Sequence, residues 1–198
     1  MAWIGVEHAV AAEFDTHTAG SKPTYKSSSG FDVGGLIAVN LTKTRNTNKL
    51  YYDNRLGESD KGLTGMNIEM NVDDLLESVL ENMGLMSSVS TGSPSVTTYY
   101  EGTGDTKQLG VGYMRTREKD GTVSYQGVWF YKVKFALDSE NTNTKGENVE
   151  YQTPTVNGEA FPLDVDSSGE DMFREVQVFT TESACKTWLD AKAGITRA

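Results

Sequence analysis

A chain of 198 residues with a formal net charge of −10 is long enough for one domain around one sizeable core. Its acidity argues against direct binding of DNA or RNA, because that affinity comes mainly from Lys and Arg displacing counterions. The lone Cys185 excludes an internal disulfide and suits a reducing compartment. The first basic residue is Lys22, which argues against a secretory signal, and no apolar run approaches the roughly 20 residues of a spanning helix, so no membrane contact is expected.

Twenty glycines against four prolines suit strands joined by tight turns. Trp3 to Phe14 reads as an arm or a first strand, inside an N-terminal arm of about residues 1–30. Asp15 to Gly30 reads as loop. Phe31 to Thr44 holds a strand, with a bend or bulge allowed at Gly34-Gly35. Thr42 to Gly62 is a long polar excursion containing Tyr51, Tyr52 and Arg55, residue types enriched at interfaces. A solvated hairpin and an interface loop are equally compatible with it.

Leu63 to Asn71 alternates as a half-buried strand. Val72, Leu75, Leu76, Val79, Leu80 and Met83 then recur at helical spacing, which predicts a helix capped by Asn71 and stopped at Gly84. Ser87 to Ser95 reads as a polar linker. Tyr99 to Glu118 predicts two strands around a Gly-rich turn. Asp120-Gly121 is a hairpin signal leading into the next strand.

That strand, Thr122 to Leu137, organises the chain. Val123, Tyr125, Trp129, Tyr131, Val133, Phe135 and Leu137 fall on one face. Val128 and Phe130 make the middle of the other face apolar as well. The middle is therefore expected to be covered twice, once by the core and once by a helix or a second subunit. Lys145 to Ala160 and Gly169 to Phe179 continue the sheet. Thr181 to Ala193 closes the chain as a helix with Ala184, Cys185, Trp188 and Leu189 on its buried stripe. The fold class is mainly β with a minor α component.

No pattern of residues points to catalysis. His8 and His17 lack metal-ligand spacing, and Cys185 on a helix stripe reads as a buried thiol. Gly110-Val111-Gly112 is half a glycine motif inside a strand and is set aside. Asp164, Asp166, Ser168 and Glu175 match the letters of a calcium-binding EF-hand loop, with Gly169 at the sixth place. Pro162 before it and strand character after it argue for a polar turn instead, so no metal and no cofactor are expected.

Gly127-Val-Trp-Phe-Tyr-Lys-Val-Lys-Phe135, then Gln152-Thr-Pro-Thr-Val-Asn-Gly158, then a final strand and the helix with Trp188-Leu189-Asp190, resemble the phage major tail protein family. The earlier half is similar in element order. The extended Asp164–Asp171 turn and the Thr42–Gly62 excursion depart from it. The resemblance implies a tail-tube-type β-sandwich or barrel over residues 1–198 as one domain, with a flanking helix and a C-terminal helix. It implies a non-enzymatic virion protein, made in the host cytoplasm, that forms homohexameric rings stacked into a tail tube. DNA would pass the lumen without specific binding. Tape-measure, tail terminator and distal tail proteins are the implied partners. Val128 and Phe130 are then expected at the subunit contact within a ring, and Tyr51, Tyr52 and Arg55 at stacking contacts. A different class is a β-sandwich module that binds carbohydrate or protein through Trp129 and the tyrosines, as an exposed aromatic platform.

Overall fold

Period-two alternation dominates the sequence, and the computed structural model turns it into one curled antiparallel sheet; residues 2–46, 49–52, 55–59, 62–138, 153–166 and 168–197 are described. The chain runs β1 (Ala2–Glu13), β2 (Phe31–Gly34), β3 (Leu36–Arg45), β4 (Lys49–Tyr52), β5 (Arg55–Ser59), β6 (Leu63–Val72), α1 (Glu77–Met83), β7 (Met86–Thr91), β8 (Val96–Glu101), β9 (Gln108–Lys119), β10 (Thr122–Ala136), β11 (Thr155–Ala160), β12 (Arg174–Phe179) and α2 (Glu182–Ala193). It is mainly β with a minor α component.

The organising strand is β10. One of its edges pairs with β9 along most of its length. The other edge has two partners in succession, β12 beside Tyr125 to Phe130 and β11 beside Val133 to Ala136. Outward from β9 come β1 and β2; outward from β11 come β6 and β3. The end strands β2 and β3 are separated only by Gly35. The sheet therefore curls until one kinked ribbon supplies both of its ends, and β3 returns against β1. The kink needs glycine. Gly34 has φ +140°, and a Cβ on Gly35 would sit 2.6 Å from Asp73 Oδ2. Asp73 locks the corner by accepting from the Gly35 N–H at 2.8 Å. The β9–β10 turn follows its sequence signal: Asp120 and Gly121 both have positive φ, as a two-residue hairpin of matching twist requires.

Burial falls into two clusters, one on each face of β10. Inside the curl, Val128, Phe130, Val133 and Phe135 meet Val111, Ile68, Met70 and Val156; an irregularity between Phe130 and Val133 moves Val133 and Phe135 off the Trp129 face, where strict alternation places them. On the outer face, Trp129 and Tyr131 lie with Met114 and Val10 under Cys185, Leu189 and Ala193 of α2. Each large apolar side chain enclosed in this way contributes about 1.5–3 kcal/mol. The second cover of β10 is thus the chain's own C-terminal helix. Thr181 caps that helix by accepting from Ala184 N at 3.4 Å, and Gly194 ends it at φ 68°.

Four expectations are corrected. Val128 and Phe130 are 0% exposed inside the chain's own core, so no second subunit reaches them. The helix predicted from Val72 begins only at Glu77, because β6 continues through Asn71 and Val72. Those two residues pair with Thr155 and Leu36, and that pairing holds the backbone extended. Asp73 and Asp74 accept from the next backbone N–H in the connecting turn, the helix starts after Leu76 without a side-chain cap rather than at Asn71, and the stop at Gly84 is as expected, with φ 79°. The predicted linker 87–95 contains most of β7, paired residue by residue with β8 and braced by a Ser90–Thr97 hydroxyl contact at 2.9 Å. The excursion 42–62 begins inside β3, and β4 and β5 form a separate two-stranded hairpin within it. For the expected Lys145–Ala160 strand, β11 covers Thr155–Ala160, and 145–152 lie outside the described residues.

Candidate functional site

Trp129 is fully enclosed, so its expected place in an exposed aromatic platform is corrected here, while Tyr99 and Tyr100 are exposed. Trp129 Nε1 donates to Tyr25 Oη at 2.8 Å, and Tyr25 donates in turn to the Tyr131 carbonyl at 3.0 Å. Burial drives the Tyr25 hydroxyl well above its usual range. The discarded Gly110-Val111-Gly112 motif has its explanation in this spot. A Cβ on Gly112 would stand 2.5 Å from Trp129 Cε3, and one on Gly110 would stand 2.2 Å from Tyr25 Cε1. The glycines make room for the Trp129 and Tyr25 rings, not for a nucleotide.

The calcium-like residues are divided among unrelated tasks. Asp166 Oδ1 accepts from Ser168 N at 3.0 Å, closing a local turn. The Asp164 carbonyl accepts from His17 Nε2 at 2.7 Å and from Gly20 N at 3.1 Å. Glu175 lies on β12 and is gripped by Lys22 and Lys192. Burial pushes its carboxyl up, yet the two lysines outweigh burial and hold it below the usual range. A Leu163–Met172 bridge and β12 flank the stretch where an EF-hand has helices.

His8 takes another role that sequence spacing did not suggest. It sits at φ 56° in a bulge of β1 and donates from Nε2 to Asp190 Oδ1 at 2.9 Å. Arg197 reaches the same carboxylate at 2.8 and 2.9 Å and also Asp32 at 2.6 Å. The C-terminal segment is thereby tied to β1, β2 and α2. Cys185 lies beneath α2, and burial pushes its thiol up to about 11. Of the residues expected at stacking contacts, Tyr52 and Arg55 face each other across the β4–β5 hairpin, with Tyr51 beside them; their side chains lie outside the described residues.

Three surfaces remain as candidate sites. The first is an open trough of about 760 Å³ on the outer face of β3, β6, β11 and β10, lined by Asn40, Asn67, Glu69, Lys134, Asn157 and Glu159. Much of its polar lining is self-paired: Asn40 donates to Glu69 at 3.2 Å, Asn157 to Asp138 at 2.7 Å and Lys134 to Asp105 at 2.6 Å. The second is the β7–β8 hairpin, which shows Val89, Val96 and Tyr100 to solvent on one face. The third is the part of the sheet where β1, β9, β10 and β12 extend beyond the curl. There the core-facing side of the strands continues into the open as Trp3, Arg115, Gln126, Val176 and Val178.

Among the described residues no group of three or more His, Cys, Asp or Glu could hold a metal ion. No described helix is long and apolar enough to cross a membrane. Comparison with known proteins finds no matching family model and no matching curated sequence.

Proposed function

We propose that the chain is a structural, self-assembling protein: a tail-tube subunit of a long-tailed phage that forms homohexameric rings and stacks them into a hollow tube for DNA. The observation that carries the reading is the order of elements. Apart from the excursion, in which the chain departs from the family, a kinked strand is followed by a strand ending at a short helix, a long aromatic strand, a last strand and a covering C-terminal helix. That is the order in which the chain resembles the phage major tail proteins. The charge is compatible: six copies at −10 each carry −60, and a like-charged wall lets DNA slide past rather than stick. In this reading the partners are further copies first. Tape-measure, terminator and distal tail proteins follow at the tube's interior and ends, and the finished protein resides in the virion.

Stacking is assigned to the β4–β5 hairpin with Tyr51, Tyr52 and Arg55. The geometry shows how to remove it cleanly. Asn46 N donates to Gly62 O at 2.8 Å, so the two ends of the excursion are already adjacent. Cutting at Thr42 would shorten β3, whereas replacing residues 47–61 by two glycines keeps every β3–β6 pair. The expected result is an unchanged melting temperature with loss of long tubes in negative-stain micrographs. Normal tubes from that variant would refute the hairpin's role. A full-length chain that stays monomeric in sedimentation at every concentration would refute the function itself.

A further inference from the structure

Among the described residues two apolar surfaces stay open once the helices are in place, and the charged side chains beside them are of opposite sign. The first is the β7–β8 hairpin. Direct cross-strand partners put Ser87, Val89 and Thr91 with Tyr100, Thr98 and Val96 on one face. Val89 is 50% exposed, Val96 62% and Tyr100 53%. A lone two-stranded hairpin is marginal in water, and this one displays its β-branched and aromatic side chains to solvent. Its flank is acidic: α1, which packs on β7, carries Glu77 and Glu81, the latter accepting from Ser88 Oγ at 2.8 Å, and Glu101 ends β8, so these acids outnumber Lys107, which donates to the Glu81 carbonyl.

The second surface is the extended flap of the main sheet. Register places Trp3, Arg117 and Ser124 in one cross-strand row, Arg115, Gln126 and Val178 in the next, and Tyr113, Val128 and Val176 in the third. The inner end of this face is core, and its outer end is bare: Trp3 is 48% exposed, Val176 41% and Val178 56%. Arg115 lies 3.9 Å over the Trp3 ring and is held by Gln126 at 2.6 Å. Arg174 stands on the same side, over Phe130. Three of the six arginines of an acidic chain are gathered on this face.

We propose that the β7–β8 hairpin of one copy seats its Val89–Val96–Tyr100 face on the Trp3–Val176–Val178 face of the next copy, with the arginines meeting the acidic flank of the hairpin. This contact rests on the self-assembling reading above and names the surfaces that perform it within a ring. Both patches are exposed in the single chain, so they do not cover each other within one copy. A hairpin-to-flap contact joins two different surfaces, which is the heterologous geometry that generates rings or helical filaments. Opposite charges fix which surface meets which and disfavour hairpin-on-hairpin pairing.

The test uses two single variants, Val96→Arg on the hairpin and Val178→Arg on the flap, so that the two altered surfaces repel each other when mixed. Both positions are exposed, so both variants are expected to fold, checked by unchanged melting. Each alone is expected to weaken association by about 30-fold or more in sedimentation velocity, as loss of a central contact does. Mixed together they have one intact hairpin and one intact flap per pair, so the mixture is expected to form a dimer and stop there. A monomeric mixture, or either single variant assembling like the unmutated chain, overturns the proposal. Such a variant that still forms tubes leaves the tail-tube function standing. Conversely, an unmutated chain that forms small closed species but no tubes, with both variants deficient and the mixture dimeric, supports the contact and overturns the function. An unmutated chain that never associates overturns both.

Discussion

The second face of β10 is covered from within the chain, and Leu189→Ala tests that cover. Leu189 is 0% exposed on α2, and its Cδ2 lies so close to the sheet that a Cβ at Gly112 would be 2.7 Å away. Truncating it removes three carbons from a site that α2 and the flat Trp129 ring hold open. Leu→Ala changes at such enclosed sites cost about 2.7–5 kcal/mol, the larger values where the surroundings do not collapse. For a chain of this size each kcal/mol shifts the midpoint by about 2–4 °C, so a cost of about 3 kcal/mol lowers Tm by about 6–12 °C. Calorimetry is to be run at dilutions where sedimentation shows monomer, with Val178→Ala as the exposed control, expected within about 0.5 kcal/mol of the unmutated chain. A Leu189→Ala shift below about 2 °C under those conditions would refute the reasoning. It would mean that α2 is loosely docked and that the ribbon waits for another cover.

Gly112→Ala is expected to cost about 1–3 kcal/mol by overpacking against Trp129, read as a lower melting temperature and an altered near-ultraviolet aromatic signal. Cys185, with its thiol pushed up to about 11 and buried, is expected to resist thiol reagents at pH 7 until denaturant is added; rapid labelling of the folded chain would contradict the docking of α2. Asp190→Asn probes the C-terminal tie. Burial raises the Asp190 carboxyl, but the hydrogen bonds from Arg197 and His8 outweigh burial and hold it below its usual range. A depressed folded pKa means that the contribution is complete above about pH 4 and is lost as pH falls through the folded value. The variant is therefore expected to be less stable than the unmutated chain in urea at pH 7, with the gap narrowing as pH falls below about 4. A gap of constant size would show that the carboxylate charge is not what ties the segment down.

Much of the sheet was legible because period two survives wherever one face is buried. The strands around Val33 to Leu41, Met66 to Met70, Leu109 to Tyr113 and Tyr125 to Tyr131 announce themselves in this way, whereas the shift after Phe130 that turns Val133 and Phe135 to the inner face leaves no mark in the alternation. Asp120-Gly121 was legible as well, since two consecutive positive φ values leave few other residue choices. Three further features stayed hidden for identifiable reasons. Val72 fits both a strand end and a helix stripe, and only its long-range pairing with Leu36 decides between them. Strand β7 is serine-rich and buries little, so it has no apolar alternation to read; its partner β8 holds it. The His8–Asp190–Arg197–Asp32 tie joins residues up to 182 positions apart, and no local pattern encodes such a meeting. The interface role of Val128 and Phe130 failed for a different reason: two-sided burial was read correctly, but the sequence alone could not say that one of the covers is the chain's own core and the other its own α2.

That substitution changes what assembly has to supply. A ribbon needing a neighbour to stay dry would make folding and association one event, as in obligate oligomers. With α2 in place the subunit has a closed core of its own, and in the proposed assembly association falls to small surfaces such as Trp3, Val176 and Val178 opposite Val89, Val96 and Tyr100. A single contact of a few exposed side chains must offset the loss of translational and rotational freedom on pairing, so alone it gives a weak dimer that forms at high concentration. In a ring, the copy that closes the circle gains two such contacts while losing that freedom once, so open intermediates are disfavoured relative to the closed ring. Association built this way is steep in concentration, passing from monomer to complete ring with little between. Weakening one patch therefore does more than remove one contact, because it removes the closure that makes all the others sufficient.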